Sequence, residues 1–94
     1  MGSTKFPLGR VYMTAGVNDK VADDEGFAKF AWESLKRHAN GDWGHLCQED
    51  KEENELSLRE GFRILSAYEH DGEKIWIITE ADRSATTILF PEEY

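Results

Sequence analysis

Alternating apolar and polar residues first appear between Gly9 and Ala15. The two sides of this extended segment carry Val11, Met13 and Ala15 on one face and Arg10, Tyr12 and Thr14 on the other. A period of two is typical of a strand with one buried face. The turn-forming residues Gly16 and Asn18-Asp19 predict the end of this strand. Residues 1–7 contain Gly, Ser and Pro, which predicts a flexible N-terminus.

Helical periodicity follows over residues 24–39. The apolar stripe consists of Phe27, Phe30, Ala31, Ser34 and His38, flanked by Ala28, Trp32, Leu35 and Ala39. This width predicts a helix that packs one face on a core, capped at its start by Asp23 or Asp24. We expect His38 and its basic neighbours to interact favourably with the negative C-terminal end of the helix dipole. Asn40-Gly41 predicts the end.

A second helix is predicted from Gln48 to Glu60, ended by Gly61. Its first two turns are crowded with the acidic residues Glu49, Asp50, Glu52, Glu53 and Glu55. Carboxylates are favourable at a helix N-terminus, but this number exceeds what capping requires. Because Leu56 and Leu58 are its only strong apolar residues, we expect this helix to be anchored mainly at its ends.

The C-terminal part of the chain predicts three strands. Phe62–Glu69 and Lys74–Glu80 flank the turn Asp71-Gly72, which is a strong hairpin signal. The last strand, Thr86–Phe90, is rich in β-branched residues. Because Ile75–Ile78 lacks alternation, the strand that contains it is predicted to be central.

The predicted order is therefore β-α-α-β-β-β. We expect one α+β domain over residues 8–94, with a four-stranded antiparallel sheet in one layer and two helices in the other. A chain of 94 residues is too short to fill a second core.

The charge balance disfavours direct binding to nucleic acid. Nineteen acidic and 11 basic residues give a net charge of −8, which repels a phosphate backbone. The single cysteine, Cys47, excludes an intrachain disulfide and is typical of a reducing compartment. Since the longest apolar runs are far shorter than a membrane span and no secretory signal is visible, we expect a cytoplasmic protein without membrane contact.

Residues around the loop between the two helices could in principle bind a metal. Asp42, His45 and Cys47 are possible ligands, with His38 upstream, but their spacing does not match structural zinc sites. A catalytic Cys47–His45 pair is also disfavoured, because acidic neighbours raise the pKa of a thiol. We therefore predict no metal, no cofactor and no catalytic residues.

Two other groups of residues have both a structural and a functional interpretation. Trp43, between Asp42 and Gly44, either folds onto the core, the commoner outcome, or is offered to a partner. The predicted hairpin end concentrates the polar residues Glu80, Asp82, Arg83 and Ser84. Structurally, Asp82 and Ser84 would satisfy the turn backbone and Arg83 would pair with Glu80 or the C-terminal residues. Functionally, these side chains would form a small polar recognition site.

Three segments together resemble a known family. They are Gly41-Asp42-Trp43-Gly44, Glu49-Asp50-Lys51-Glu52-Glu53-Asn54 and the stretch from Ile75 to Tyr94. The chain resembles small bacterial plasmid-related proteins, some of which bear the label type I restriction endonuclease subunit M. That label would imply a methyltransferase, but the chain has neither a glycine-rich turn after a strand nor an Asn-Pro-Pro motif. The resemblance implies a restriction or mobile-element setting, with no specific activity.

Two hypotheses remain open. The first is a non-enzymatic binding or accessory protein whose partner-binding residues Trp43, Glu49, Asp50, Glu52, Glu53 and Glu55 contact a basic, nucleic-acid-handling protein. The alternative is a small-molecule binding or catalytic module that uses Glu80, Asp82 and Arg83 together with Trp43. The sequence predicts a monomer or a dimer without deciding between them.

Overall fold

A computed structural model describes residues 4–94. The elements in chain order are β1 (Arg10–Met13), α1 (Ala15–Asp23), α2 (Glu25–Ala39), α3 (Gln48–Glu60), β2 (Ile64–His70), β3 (Glu73–Thr79), β4 (Ala85–Leu89) and a final 3₁₀ turn (Pro91–Glu93). The predicted α+β class is confirmed.

The sheet contains four strands in the order β1-β4-β3-β2, so β3 lies in its interior as predicted. Strands β2, β3 and β4 form the expected antiparallel meander, and the turn at Asp71-Gly72 has the positive φ angles of 49° and 78° that a tight hairpin requires. The prediction of a wholly antiparallel sheet is wrong, because β1 pairs parallel to β4. Most of the chain separates these two strands, and no hairpin constrains their direction.

The prediction of two helices missed α1. Gly16 and Asn18 were interpreted as the end of a strand, yet they lie inside this helix. Its start is fixed by Thr14, whose hydroxyl accepts a hydrogen bond of 3.3 Å from the backbone N–H of Val17. Val17 is fully buried and Val21 packs one turn later, so tertiary packing stabilises a segment with weak helical propensity.

Helices α1 and α2 cover one face of the sheet. Asp24 caps α2 as predicted, since its carboxylate accepts a hydrogen bond of 3.1 Å from the N–H of Phe27. The core between the layers consists of Val17, Phe27, Ala31 and Leu35 from the helices and Tyr68, Ile75, Ile77 and Ile88 from the strands. A smaller cluster of Phe6, Trp43 and Ile64 extends this core toward α3.

The N-terminal segment contributes to the core. Lys5 donates a backbone hydrogen bond of 2.8 Å to Ala39, and Phe6 is buried against Trp43. Residues 5 and 6, which belong to the segment 1–7 that was predicted to be flexible, therefore pack on the domain. Residues 1–3 of that segment lie outside the described part of the chain.

The expected half-buried first strand is exposed along its whole length. Val11, Tyr12 and Met13 expose 40–50% of their surface, because β1 forms one edge of the sheet. The alternation of residues predicted the strand correctly, but position in the sheet decides burial.

The opposite edge, β2, is covered by groups that take the place of a further strand. The side-chain amide of Asn54 donates to the carbonyl of Leu65 at 2.7 Å and accepts from the Leu65 N–H at 3.2 Å. The loop backbone donates from His45 to the carbonyl of Ala67 at 2.7 Å and accepts from the Ala67 N–H at Trp43. The outward-facing backbone groups of Leu65 and Ala67 on this edge are thus satisfied.

Gly44 permits the loop to approach β2 this closely. It has a φ of +75°, and a Cβ at this position would overlap the carbonyl oxygen of Ala67. Gly61, which ends α3, has a similar φ of +80° but has no atom within 4 Å of its would-be Cβ. Both glycines therefore have a left-handed backbone, but only Gly44 lacks the space for a side chain.

We predict that Gly44→Ala destabilises the fold far more than Gly61→Ala. Gly61→Ala introduces only left-handed strain, about 1–2 kcal/mol. Gly44→Ala adds the clash with β2, so we expect a loss of roughly 3 kcal/mol or more in unfolding free energy. Denaturant unfolding of both variants measures the difference. Equal losses would show that the loop does not need its close approach to β2.

Candidate functional site

The acidic helix α3 is held by few buried residues. Only Asn54 and Ser57 are buried, and Leu58 packs against the smaller core cluster. Glu49 and Asp50 lie in the first turn, where the helix dipole favours them, and Gly61 ends the helix as predicted. The helix therefore presents most of its surface to solvent.

One side of α3 forms a continuous outer face, composed of Glu49, Glu52, Glu53 and Leu56. These residues are exposed and line a shallow depression of about 320 Å³. Among the ion pairs of residues 4–94, none involves a carboxylate of α3; Glu52 accepts a hydrogen bond of 3.3 Å from Gln48. Leu56 exposes 39% of its surface within this acidic group. The outer face thus combines unneutralised negative charge with an apolar side chain.

The other residues predicted to bind a partner lie away from the outer face. Trp43 is only 4% exposed, and its indole N–H donates a hydrogen bond of 2.8 Å to Glu55. Its ring lies against Phe6 and His38, with centroid distances of 6.2 and 6.0 Å. Trp43 is therefore a core residue, and Glu55 is its hydrogen-bond partner.

Asp50 lines a neighbouring depression of about 360 Å³ that also contains His45, Cys47, Lys74 and Trp76. Of the six residues predicted to contact a partner, the structure brings Glu49, Glu52 and Glu53 together on the outer face. Glu55 is exposed, but its carboxylate is used by the Trp43 indole, and a run of acidic residues contains no signal that singles out this position.

The polar hairpin end is organised around Arg83, a non-glycine residue with a φ of +61°. Its guanidinium donates to the carbonyls of Phe62, Glu80, Ala81 and Ser57 at 2.7, 3.1, 3.1 and 2.9 Å. The expected pairing with the Glu80 carboxylate or the C-terminal residues is wrong: Arg83 binds backbone carbonyls, including that of Ser57 near the end of α3. This arrangement joins the β3–β4 turn to α3.

Asp82 and Ser84 satisfy the same turn as expected. Asp82 accepts a backbone hydrogen bond of 3.0 Å from Ser84, and hydrogen bonds from Ser84 lower the pKa of the Asp82 carboxyl. Glu80 is exposed. Trp43 does not join this group directly; Phe6 lies between them, with the Arg83 guanidinium 5.8 Å from the centre of its ring.

The possible metal ligands are not brought together. Arg37 holds Asp42 in a two-pronged ion pair at 2.7 and 3.2 Å, and this hydrogen bond lowers the pKa of the Asp42 carboxyl. His45 and Cys47 are exposed. Within residues 4–94 no group of three His, Cys, Asp or Glu side chains could hold a metal ion.

The structure contains a buried chain of hydrogen-bonded polar side chains that was not predicted from the sequence. His38 is fully buried, with Nδ1 at 2.6 Å from the Ser66 hydroxyl and Nε2 at 2.8 Å from the Thr79 hydroxyl. The Thr79 hydroxyl lies 2.7 Å from that of Thr86, which donates to the carbonyl of Leu8 at 2.7 Å. The chain links α2, three strands and the N-terminal segment.

The carbonyl of Leu8 at the end of this chain determines the direction of the hydrogen bonds between it and His38 Nε2. A carbonyl can only accept, so Thr86 donates to Leu8 and must accept from Thr79. Thr79 then accepts from His38 Nε2–H. Because burial disfavours the charged form of the ring, His38 is neutral with its proton on Nε2, and Nδ1 accepts from the Ser66 hydroxyl.

His38 was expected to be a cation near the end of α2, and this expectation is wrong. Burial lowers the pKa of His38 to about 3. The sequence contains a signal for this buried contact in its periodicity. His38 lies one turn after Ser34 on the apolar stripe of α2, and Ser66 lies between Ile64 and Tyr68 on the same face of its strand. Because buried polar groups need hydrogen-bond partners, polar residues at inward-facing positions on two packed elements are expected to bind each other.

We predict that His38 makes the fold acid-sensitive. Its pKa in the folded protein lies below the ordinary value of 6.5, so between pH 6.5 and about 3 the unfolded chain binds a proton that the folded chain does not. Stability is fully present above pH 6.5 and is lost as the pH falls, by up to about 1.4 kcal/mol per pH unit.

The pH dependence of stability of the parent protein is compared with that of the His38→Gln variant. The glutamine side chain keeps a donor and an acceptor but cannot titrate in this range. The variant should be less stable at pH 7 and should lose less stability on acidification, as measured by denaturant unfolding from pH 7 to 4. Parallel pH profiles for both proteins would contradict a buried neutral His38.

No family model, curated protein or solved structure matches this chain. Among residues 4–94, no helix has both the length and the apolar character needed to cross a membrane.

Proposed function

We propose that this is a small non-enzymatic binding protein that contacts a basic, nucleic-acid-handling partner through the outer face of α3. The observation that carries this proposal is the set of exposed carboxylates of Glu49, Glu52 and Glu53, which have no cationic partner within residues 4–94. Like charges one turn apart repel each other, so a basic surface that neutralises them gains more than it would from isolated acids.

The shape of the outer face supports a protein partner. Side chains three or four positions apart on a helix are about 5–6 Å apart, so these carboxylates form a row that arginine or lysine side chains can match. Leu56, which is 39% exposed, offers an apolar contact at the C-terminal end of this row. Charge then speeds association and apolar contact prolongs it.

The resemblance to plasmid-related proteins adds a setting to this proposal. A partner in a restriction or mobile-element system would carry a basic surface for nucleic acid, and the acidic row of α3 would occupy that surface in place of phosphates. The protein would then act as an accessory or an inhibitor of its partner.

The hairpin end does not support the alternative of a small-molecule or catalytic module to the same degree. The Arg83 guanidinium already donates to four carbonyls, and Trp43 is buried. Both side chains are explained by their structural contacts, so we favour the outer face.

The test is neutralisation of the outer face by Glu49→Gln, Glu52→Gln and Glu53→Gln in one variant. Its matched control carries Asp19→Asn, Asp23→Asn and Glu80→Gln, which remove the same charge from exposed positions elsewhere. Both variants should fold with stability within about 0.5 kcal/mol of the parent, since all changes are on the surface.

Proteins retained from a bacterial lysate by the parent and the control, but not by the outer-face variant, are partners through α3. With such a partner, the association rate at low salt should fall roughly tenfold or more for the outer-face variant only, and duplex DNA should displace the parent. Equal retention by all three proteins would exclude α3 as the binding surface.

A further inference from the structure

The two edges of the sheet are treated differently. Every outward-facing backbone group of Leu65 and Ala67 on β2 has a hydrogen-bond partner from Asn54 or the loop 43–45. On the opposite edge, β1 is exposed along its length. Natural sheets protect their edges, so an open edge opposite a partly covered one marks a surface for pairing.

The backbone of β1 has two residues available for such pairing. Arg10 and Thr14 donate backbone hydrogen bonds to Ser84 and Ile88 of the neighbouring segment at 3.0 and 3.1 Å. Successive residues of a strand alternate in direction, so Val11 and Met13 direct their N–H and C=O groups outward. Neither proline nor charge interrupts Val11, Tyr12 and Met13, each of which exposes 40–50% of its surface.

We propose that two copies of this chain pair through β1 in antiparallel orientation and form one continuous eight-stranded sheet. The two-fold axis passes beside Tyr12, which places Val11 of each copy opposite Met13 of the other. This register makes four backbone hydrogen bonds and juxtaposes the two Tyr12 rings on one face of the sheet. Val11 and Met13 pair on the other face, so both faces match.

Charge selects a second copy over an unrelated extended segment. The same register places each Arg10 opposite Thr14 of the other copy. The Thr14 hydroxyl donates a 2.6 Å hydrogen bond to Glu93, so this carboxylate lies within reach of the incoming guanidinium. Within residues 4–94, Arg10 has no ion-pair partner of its own. The pairing thus supplies two symmetric Arg10–Glu93 ion pairs.

The size of the contact sets its strength. A four-residue strand buries less surface than the roughly 1,200–2,000 Å² typical of stable complexes, so the dimer forms reversibly at micromolar to millimolar concentrations. This inference does not depend on the proposed binding through α3, which lies beside the other edge of the sheet.

Sedimentation equilibrium over this concentration range provides the test. The parent should show a mass that rises with concentration from the monomer mass of 10.8 kDa toward twice that value. Val11→Pro removes only an outward N–H, so it should fold and remain monomeric. Arg10→Glu should weaken dimerisation roughly tenfold, whereas the matched surface change Lys29→Glu should leave it unchanged.

Hydrogen exchange of the folded parent gives a second readout. The amides of Val11 and Met13 should become more protected as concentration rises, while that of Tyr12, which faces β4, should not change. A monomer at every concentration would overturn the proposal. So would a dimer that survives both Val11→Pro and Arg10→Glu, because it would use another surface. If Val11→Pro does not fold, Arg10→Glu and the exchange data decide alone.

Discussion

The buried hydrogen-bond chain through His38 is the constraint on which the other packing depends. It joins α2 to β2, β3 and β4 and ends on the carbonyl of Leu8, so the helical layer and the sheet have one relative position in which all its atoms are satisfied. Moving α2 along the sheet would leave buried donors and acceptors unpaired, at a cost of about 1–3 kcal/mol each. Apolar contacts supply most of the stability, but they do not fix position so strictly.

Around this centre, the two edges of the sheet have different roles. The loop 43–45 and Asn54 close the β2 edge, and the same segment carries Trp43, whose indole binds Glu55 of α3. These contacts hold the acidic helix against the domain on one side, and its outer face is exposed to solvent. Pairing through β1 would put the two α3 helices at opposite ends of an eight-stranded sheet, whose outermost strands are roughly 34 Å apart. Such a dimer would offer a partner two separated acidic faces.

Local signals predicted much of this fold, and the errors follow from contacts distant in sequence. Asp24, Gly61 and the Asp71-Gly72 turn act through neighbouring backbone, so the sequence located the limits of α2, α3 and the hairpin. The missed α1 depends on burial of Val17, and the parallel direction of β1 depends on β4, some 75 residues away. At the candidate site, the run of acidic residues was evident from the sequence, but the hydrogen bond of Glu55 to Trp43 and the carbonyl contacts of Arg83 arise only when distant segments meet.

The protonation state of His38 is the most direct test of this account. Nitrogen-15 NMR of the imidazole ring, through its long-range couplings to the ring protons, distinguishes the two neutral tautomers from the cation. At pH 7 we expect a neutral ring, because burial disfavours its charged form. We expect its proton on Nε2, because the chain from Thr79 to Leu8 accepts only in that direction. A ring protonated on Nδ1 alone would contradict the hydrogen-bond chain and the arrangement of helices and strands built on it, and a ring protonated on both nitrogens would contradict a buried neutral His38.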